Sequence, residues 1–128
     1  ERKDHFRHYE MMDVALDPLT YNGTTTTCEA LYMGVPVLTR LGNSHASRVS
    51  ASLLHRMGMD GWVAKDDEAF VTIAKAAAAR PDDLAKRRAS MRASYKNSPL
   101  NDGAKMAHDL EAAYRQMWQE KCAEKISD

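Results

Sequence analysis

Thr24, Thr25, Thr26 and Thr27 stand in an unbroken run after Asn22-Gly23, with Glu29 two residues further on. If a helix begins here, its first turn carries N–H groups without internal partners. Together with the helix dipole, these make a site for phosphate or another anion. The threonine hydroxyls add donors at the same place. Thr25 and Thr26 lie four and three residues before Glu29, so both hydroxyls and the carboxylate share one helix face. A carboxylate one turn in from a phosphate site is placed to accept hydrogen bonds from ribose hydroxyls. The same residues admit a plainer use, because Thr26 and Glu29 have the spacing of a capping box, which stabilises a helix by about 1 kcal/mol and implies no ligand. Redundancy favours the ligand: one threonine suffices to cap, and Gly23 lets backbone approach a bound group closely.

Other residues of chemical interest are weaker. His5 and His8 are three apart and can share a helix side, but a metal site needs a third ligand, so a solvated face is the simpler reading and no metal is expected. Arg48 is a candidate anion clamp and His45 a candidate contact for a sugar or acceptor. Asp66, Asp67 and Glu68 are better explained as favourable charge at a helix start than as a metal site. Lys86, Arg87, Arg88 and Arg92 read as a solvated helix face, and Met117 and Trp118 as core.

These residues need a frame to hold them. Val14, Ala15 and Leu16 form an apolar run fit for a buried parallel strand, Asp17, Pro18, Asn22 and Gly23 break the chain, and Gly34 stops the following helix. Pro36, Val37, Leu38 and Thr39 start a second strand. The unit is a βαβ element, with a right-handed crossover expected, whose first loop opens at the carboxyl edge of the sheet, where ligands of open parallel sheets bind. Spacing predicts helices in residues 1–12, with Asp4 as a possible cap and Phe6, Tyr9 and Met12 on one side. It also predicts them after Ser44 (core side Ala46, Val49, Ser50, Leu53, Leu54, Met57) and after Asp66 (Phe70, Ile73, Ala74, Ala77, Ala78). Pro81 ends the latter, Asp82 or Asp83 starts another helix with Leu84, Met91 and Tyr95 inward, and a last helix carries Ala107, Leu110, Tyr114, Met117 and Trp118 on one side.

Strands are expected at about 13–16, 36–41 and 61–64. Doubly wound sheets commonly have about five or six strands, so residues 1–128 read as a single partial domain, a late portion of a larger one. The fold class is α/β: part of a Rossmann-like parallel sheet with flanking helices. A bare strand edge invites pairing with a missing segment or with another copy of the chain, a homo-oligomer.

Composition excludes several classes. Eighteen basic residues balance eighteen acidic ones, so no broad positive field exists to collect nucleic acid or a membrane surface. Hydrophobic residues make up 44% and charged ones 28%, an ordinary globular balance. No apolar run reaches the roughly 18 residues of a membrane span. Cys28 and Cys122 lack a metal or disulfide pattern and suit a reducing compartment, so a cytoplasmic location is expected.

Longer motifs narrow the reading. Asn22-Gly23-Thr24-Thr25-Thr26-Thr27 is followed by Glu29-Ala30-Leu31 and Met33-Gly34-Val35-Pro36-Val37. Ala46-Ser47-Arg48-Val49, Ser52-Leu53, Ser98-Pro99-Leu100, Leu110-Glu111, Tyr114 and Gln116-Met117-Trp118 come after them in consistent order. Over nearly its whole length the chain resembles the C-terminal catalytic lobe of the protein O-GlcNAc transferases, family 41 of the glycosyltransferases, in their bacterial type.

That resemblance implies a GT-B architecture of two Rossmann-like lobes, with the donor nucleotide sugar in the C-terminal one and tetratricopeptide repeats upstream. It implies transfer of N-acetylglucosamine from UDP-GlcNAc to Ser or Thr of an acceptor protein, without a metal or other cofactor. Thr25 and Thr26 fall where the family binds the donor diphosphate, Glu29 where an acidic residue holds the ribose, His5 against the nucleobase, and Arg2 where a basic residue meets the donor. Thr24 replaces a histidine of the animal members, and His8 stands where the family often has arginine. A plant-type branch using GDP-fucose stays open, as does a non-catalytic nucleotide-binding or oligomerisation module. The general base and the amino-terminal lobe lie outside the matched region.

Overall fold

Val37–Arg40 (β2) is the middle of three parallel strands. Ala15–Leu16 (β1) pairs on one side, Ala15 opposite Val37 and Leu16 opposite Leu38. Val63–Ala64 (β3) pairs on the other, Val63 opposite Thr39 and Ala64 opposite Arg40. The computed structural model describes residues 2–124, with side chains from His5 onward. The α/β reading holds, a parallel sheet with flanking helices, but the strands are shorter than the apolar runs that announced them. Residues 60–62 form a 3-10 turn instead of opening β3, and bonds from Ala15 N–H to Pro36 O and from Asp17 N–H to Leu38 O, both 2.9 Å, carry the β1 pairing past its formal ends.

Helix α1 (Arg2–Glu10) precedes β1, and α2 (Thr25–Tyr32) links β1 to β2. Met33 caps α2, and the chain then turns back through Gly34 at φ +85°. Gly34 N–H donates to Leu31 O and Val35 N–H to Ala30 O, the paired bonds of a left-handed helix end. Glycine is required twice over, since a Cβ at Gly34 would stand 2.9 Å from the carbonyl oxygen of Arg88 on a neighbouring helix. That neighbour is α5 (Pro81–Lys96), which packs on α2. Pro81 does not close the preceding helix. It opens α5 in the first turn, where its missing N–H has no partner to lose, and α4 (Asp67–Ala78) ends before it. Asp66 caps α4 by accepting from Ala69 N–H at 2.7 Å, as its acidic start suggests.

Ser44 also caps as expected, though the turn it caps is 3-10, residues 45–47, and α3 (Val49–Arg56) begins after it. Leu31, Val35, Val37 and Leu54 are fully enclosed, joined by Tyr9, Ala30, Met59 and Met91. Each such aliphatic side chain contributes about 1.5–3 kcal/mol. The core therefore ties α1, α2, α3 and α5 to one face of β2. The apolar stripe of α4 is only half-buried.

One expectation fails at the periphery. Met117 and Trp118 do not fill a core: α6 (Gly103–Glu124) has no buried residue, and Met106, Leu110, Tyr114, Met117 and Trp118 are all exposed. Its apolar stripe exists without a partner among the described residues. Lys86, Arg87 and Arg92 of α5 are exposed, as expected of a solvated face, and Arg88 is half-buried. Arg92 lies 4.3 Å over the Tyr32 ring and Arg87 5.8 Å over Trp62, because a guanidinium gains more over an aromatic face than in water alone.

Candidate functional site

The carboxyl end of β1 delivers Asp17, a buried carboxylate with two assignments. Its Oδ1 accepts from the Gly23 N–H and its Oδ2 from the Thr39 hydroxyl, both at 2.8 Å. A buried carboxylate is costly unless its oxygens are satisfied, so the loop from 17 to 23 is held in the shape that satisfies them. Asn22, only 1% exposed, adds two more ties: its N–H donates to Ala46 O at 2.8 Å and its Nδ2 to Pro18 O at 3.0 Å. The first of these clips the β1–α2 loop to the loop after β2. A Cβ at Gly23 would crowd the Thr26 and Thr27 hydroxyls, the second of which is held by its bonds to Gly23 O and Ser50.

The four threonines divide into two kinds. Thr27 is buried, with its hydroxyl 3.0 Å from Gly23 O and 2.9 Å from the Ser50 hydroxyl, which itself donates to Gly23 O at 3.0 Å. It is a structural residue joining α2 to α3. Thr24, Thr25 and Thr26 are exposed at the carboxyl edge of the sheet. Thr24 occupies the cap position but makes no side-chain cap bond, and Cys28 N–H closes the first turn onto Thr24 O at 3.1 Å. The capping box between Thr26 and Glu29 is not formed.

Glu29 is occupied elsewhere. His5 Nε2 donates to its Oε2 at 2.9 Å and the Tyr9 hydroxyl donates to the same oxygen at 3.2 Å. His5 and Tyr9 stand one turn apart on α1, so one helix face presents both to Glu29. Their rings meet edge-on at 5.5 Å, and His5 also meets Phe6 edge-on at 5.6 Å. Burial pushes the Tyr9 phenol above its ordinary range, with the nearby Glu29 charge and hydrogen bond adding in the same direction. The phenol is thus a firm donor.

Of the residues singled out from sequence, Thr24, Thr25, Thr26, Glu29 and His5 are therefore gathered at the N-terminal part of α2 and the α1 face beside it. Arg2 lies on α1, but its side chain falls outside the described residues, as does that of Asp4. His8 is exposed and takes no part. His45 and Arg48 are exposed on the loop after β2 that Asn22 ties to the site. Among the described residues no group of three or more His, Cys, Asp or Glu is placed to hold a metal ion. A cavity of about 630 Å3 between α4, α5 and the 60–62 turn shares none of these residues.

Glycosyl transferase family 41 is the family whose model matches this chain, over residues 1–110. The chain belongs to that family. Relatives of the family 41 chain include the "Probable UDP-N-acetylglucosamine--peptide N-acetylglucosaminyltransferase SPINDLY" of Solanum lycopersicum, 44% identical over 93% of this chain and 13% of its own length. The UDP-N-acetylglucosamine–peptide N-acetylglucosaminyltransferase of Caenorhabditis elegans is 36% identical over 91% of this chain and 10% of its own. Among solved structures, a mutant of the Thermobaculum terrenum O-GlcNAc transferase superposes with a TM-score of 0.87 at 38% identity, covering 95% of this chain and 24% of that one. The family 41 chain thus spans about an eighth of the length of the SPINDLY relative.

Four contributors to the site escaped sequence reasoning. Tyr9 read only as an apolar stripe position, Asp17 as a turn former, Thr39 as a strand position and Ser50 as a core position. The available signal was the one-turn spacing of His5 and Tyr9, which places a second polar aromatic wherever the histidine goes.

Proposed function

We propose that this chain is part of the donor-binding lobe of a GT-B protein O-glycosyltransferase that transfers N-acetylglucosamine from UDP-GlcNAc to Ser or Thr of an acceptor protein. The remaining polypeptide would supply the amino-terminal lobe and tetratricopeptide repeats, and the enzyme would work in the cytoplasm. The observation that carries the reading is the juxtaposition of three exposed hydroxyls at a helix N-terminus with a carboxylate one turn further in.

In such a transfer the acceptor oxygen attacks the anomeric carbon, and the bond from that carbon to the diphosphate breaks. Negative charge gathers on the leaving diphosphate. Thr25 and Thr26, with Thr24 beside them and the first-turn N–H groups of α2, are aimed where that charge develops, and preorganised donors of this kind lower the barrier. Arg2 is assigned to the donor as well. Hydroxyl, amide and basic donors together take the role a metal plays elsewhere, so none is required. Glu29 receives the ribose hydroxyls and His5 the nucleobase. The acceptor's proton goes to a general base, a role assigned to no residue here.

Calorimetric titration of UDP and UDP-GlcNAc, with GDP and GDP-fucose as comparators, tests this on the full-length protein. Saturable UDP-GlcNAc binding that Thr25→Ala/Thr26→Ala weakens at least tenfold, about 1.4 kcal/mol, is expected. A folded protein that binds no nucleotide would instead be a non-catalytic module, and the proposal would fall.

A further inference from the structure

We propose that Tyr9 is the positioning residue that fixes the Glu29 carboxylate for a ribose, and so sets the site's preference for ribonucleotides over 2′-deoxynucleotides. The inference rests on the reading of Glu29 as the ribose carboxylate.

Two donors reach Glu29, and they differ in kind. His5 shares a face of α1 with Tyr9, but half of its side chain is open to solvent, where a base would dock against it. Tyr9 is part of the buried cluster with Leu31, Val35 and Leu54, so its ring has no other position to take. Its hydroxyl is the only polar atom of that side chain, and it is directed at Glu29 Oε2 at 3.2 Å. Both donors use Oε2 and leave Oε1 to whatever lies beyond them.

A carboxylate tethered through one oxygen has its plane set in advance. A vicinal diol requires that fixed plane, because its two hydroxyls demand acceptors at a set spacing and direction. A free glutamate would have to surrender rotamer entropy at each binding event, whereas one already held by Tyr9 has surrendered it on folding. Arg88 extends the arrangement, since its guanidinium donates to Tyr9 O at 3.3 Å and holds that turn of α1 in place.

The measurement is a ratio. Affinities of UDP and 2′-deoxy-UDP, with GDP and 2′-deoxy-GDP in parallel, are determined for the full-length protein and for Tyr9→Phe, which keeps the ring and removes one oxygen. The unaltered protein is expected to favour the ribonucleotide by roughly tenfold, and Tyr9→Phe to lose most of that preference by weakening the ribonucleotide roughly fivefold while leaving the deoxynucleotide unchanged. In a Glu29→Gln background, Tyr9→Phe should change the ratio no further. A tyrosine that only packs would weaken both nucleotides alike, and an unchanged ratio in Tyr9→Phe overturns the proposal. Should the phenylalanine variant not fold, 3-fluorotyrosine at position 9 keeps the shape with a stronger donor and must retain the preference. Two results lie upstream: no binding of either nucleotide, or no ribose preference in the unaltered protein. Those overturn the ribose reading of Glu29 and this inference with it.

Discussion

Arg88 donates to the backbone carbonyl of Tyr9 at 3.3 Å across 79 residues of chain, and the same guanidinium lies 3.8 Å from the Asp13 carboxylate. α5 thereby holds the C-terminal end of α1, the helix that carries His5 and Tyr9. Arg88→Ala is expected to lower stability by less than about 1 kcal/mol, because Asp13 is exposed and the pair is screened. Nucleotide affinity should fall as well, by a factor of roughly three, about 0.7 kcal/mol. Hydrogen exchange should show the α1 amides opening faster while those of α2 are unchanged. Equal acceleration in both helices would mean that the arginine supports the whole core instead of α1.

The threonine run should separate cleanly under mutation. Thr27→Ala removes a buried hydroxyl that stands between Gly23 O and Ser50, and is expected to cost about 1–2 kcal/mol, read as a shift in the urea midpoint. Thr25→Ala and Thr26→Ala touch exposed hydroxyls and should lie within about 0.5 kcal/mol of the parent while weakening nucleotide binding. The opposite order would return the run to a purely structural role.

Asp17 is expected to be the most sensitive polar residue of the loop. Asp17→Ala strips the acceptor from the Gly23 N–H and from the buried Thr39 hydroxyl at once, for a loss of roughly 2–4 kcal/mol. Thr39→Val in that background should recover part of it, since one of the two orphaned donors is then gone. The double-mutant cycle checks this directly.

The alkaline limb of the stability profile follows from the raised Tyr9 phenol. A group that holds its proton more tightly when folded contributes stability that is complete below the unfolded pKa, about 10, and is lost as pH rises through the higher folded value. Relative to Tyr9→Phe, the parent should therefore keep a constant difference in stability up to about pH 10 and lose ground above it. Denaturant midpoints for the two proteins across that range test the sign. Tyr95, raised by burial, and Tyr32, lowered chiefly by its hydrogen bond to Arg92, are common to both and cancel in the difference.

What the sequence made legible is what neighbouring residues decide among themselves. The βαβ unit could be read because apolar triplets, the breakers from Asp17 to Gly23 and the stop at Gly34 all act locally. The threonine edge could be read because a helix start advertises itself. The partnerships that rigidify the site could not, for Tyr9 meets Glu29 over 20 residues, Asp17 meets Thr39 over 22, and neither leaves a period in the sequence. The strands came out short for a related reason. An apolar run marks a buried segment, but pairing lasts only as long as the neighbouring strand, and β3 offers β2 two residues. Nor could hydrophobicity distinguish a stripe that meets this core from one that meets something else.

α6 is the case in point, and it yields the last prediction. Leu110, Tyr114, Met117 and Trp118 recur at helical spacing, yet Trp118 is 70% exposed, and a stripe of this size left in water invites a partner. The curated relatives are far longer than this chain, so the partner expected is the rest of the same polypeptide. Trp118 emission, taken as the difference between each protein and its Trp118→Phe variant, should lie further to the blue in the full-length protein than in residues 1–128 alone, and Trp118→Ser should loosen the full-length protein without unfolding the sheet. Identical emission in the two would leave the stripe exposed in the whole protein as well and refute the intramolecular contact. Association of full-length copies that disappears with Trp118→Ser would assign the stripe to a second molecule.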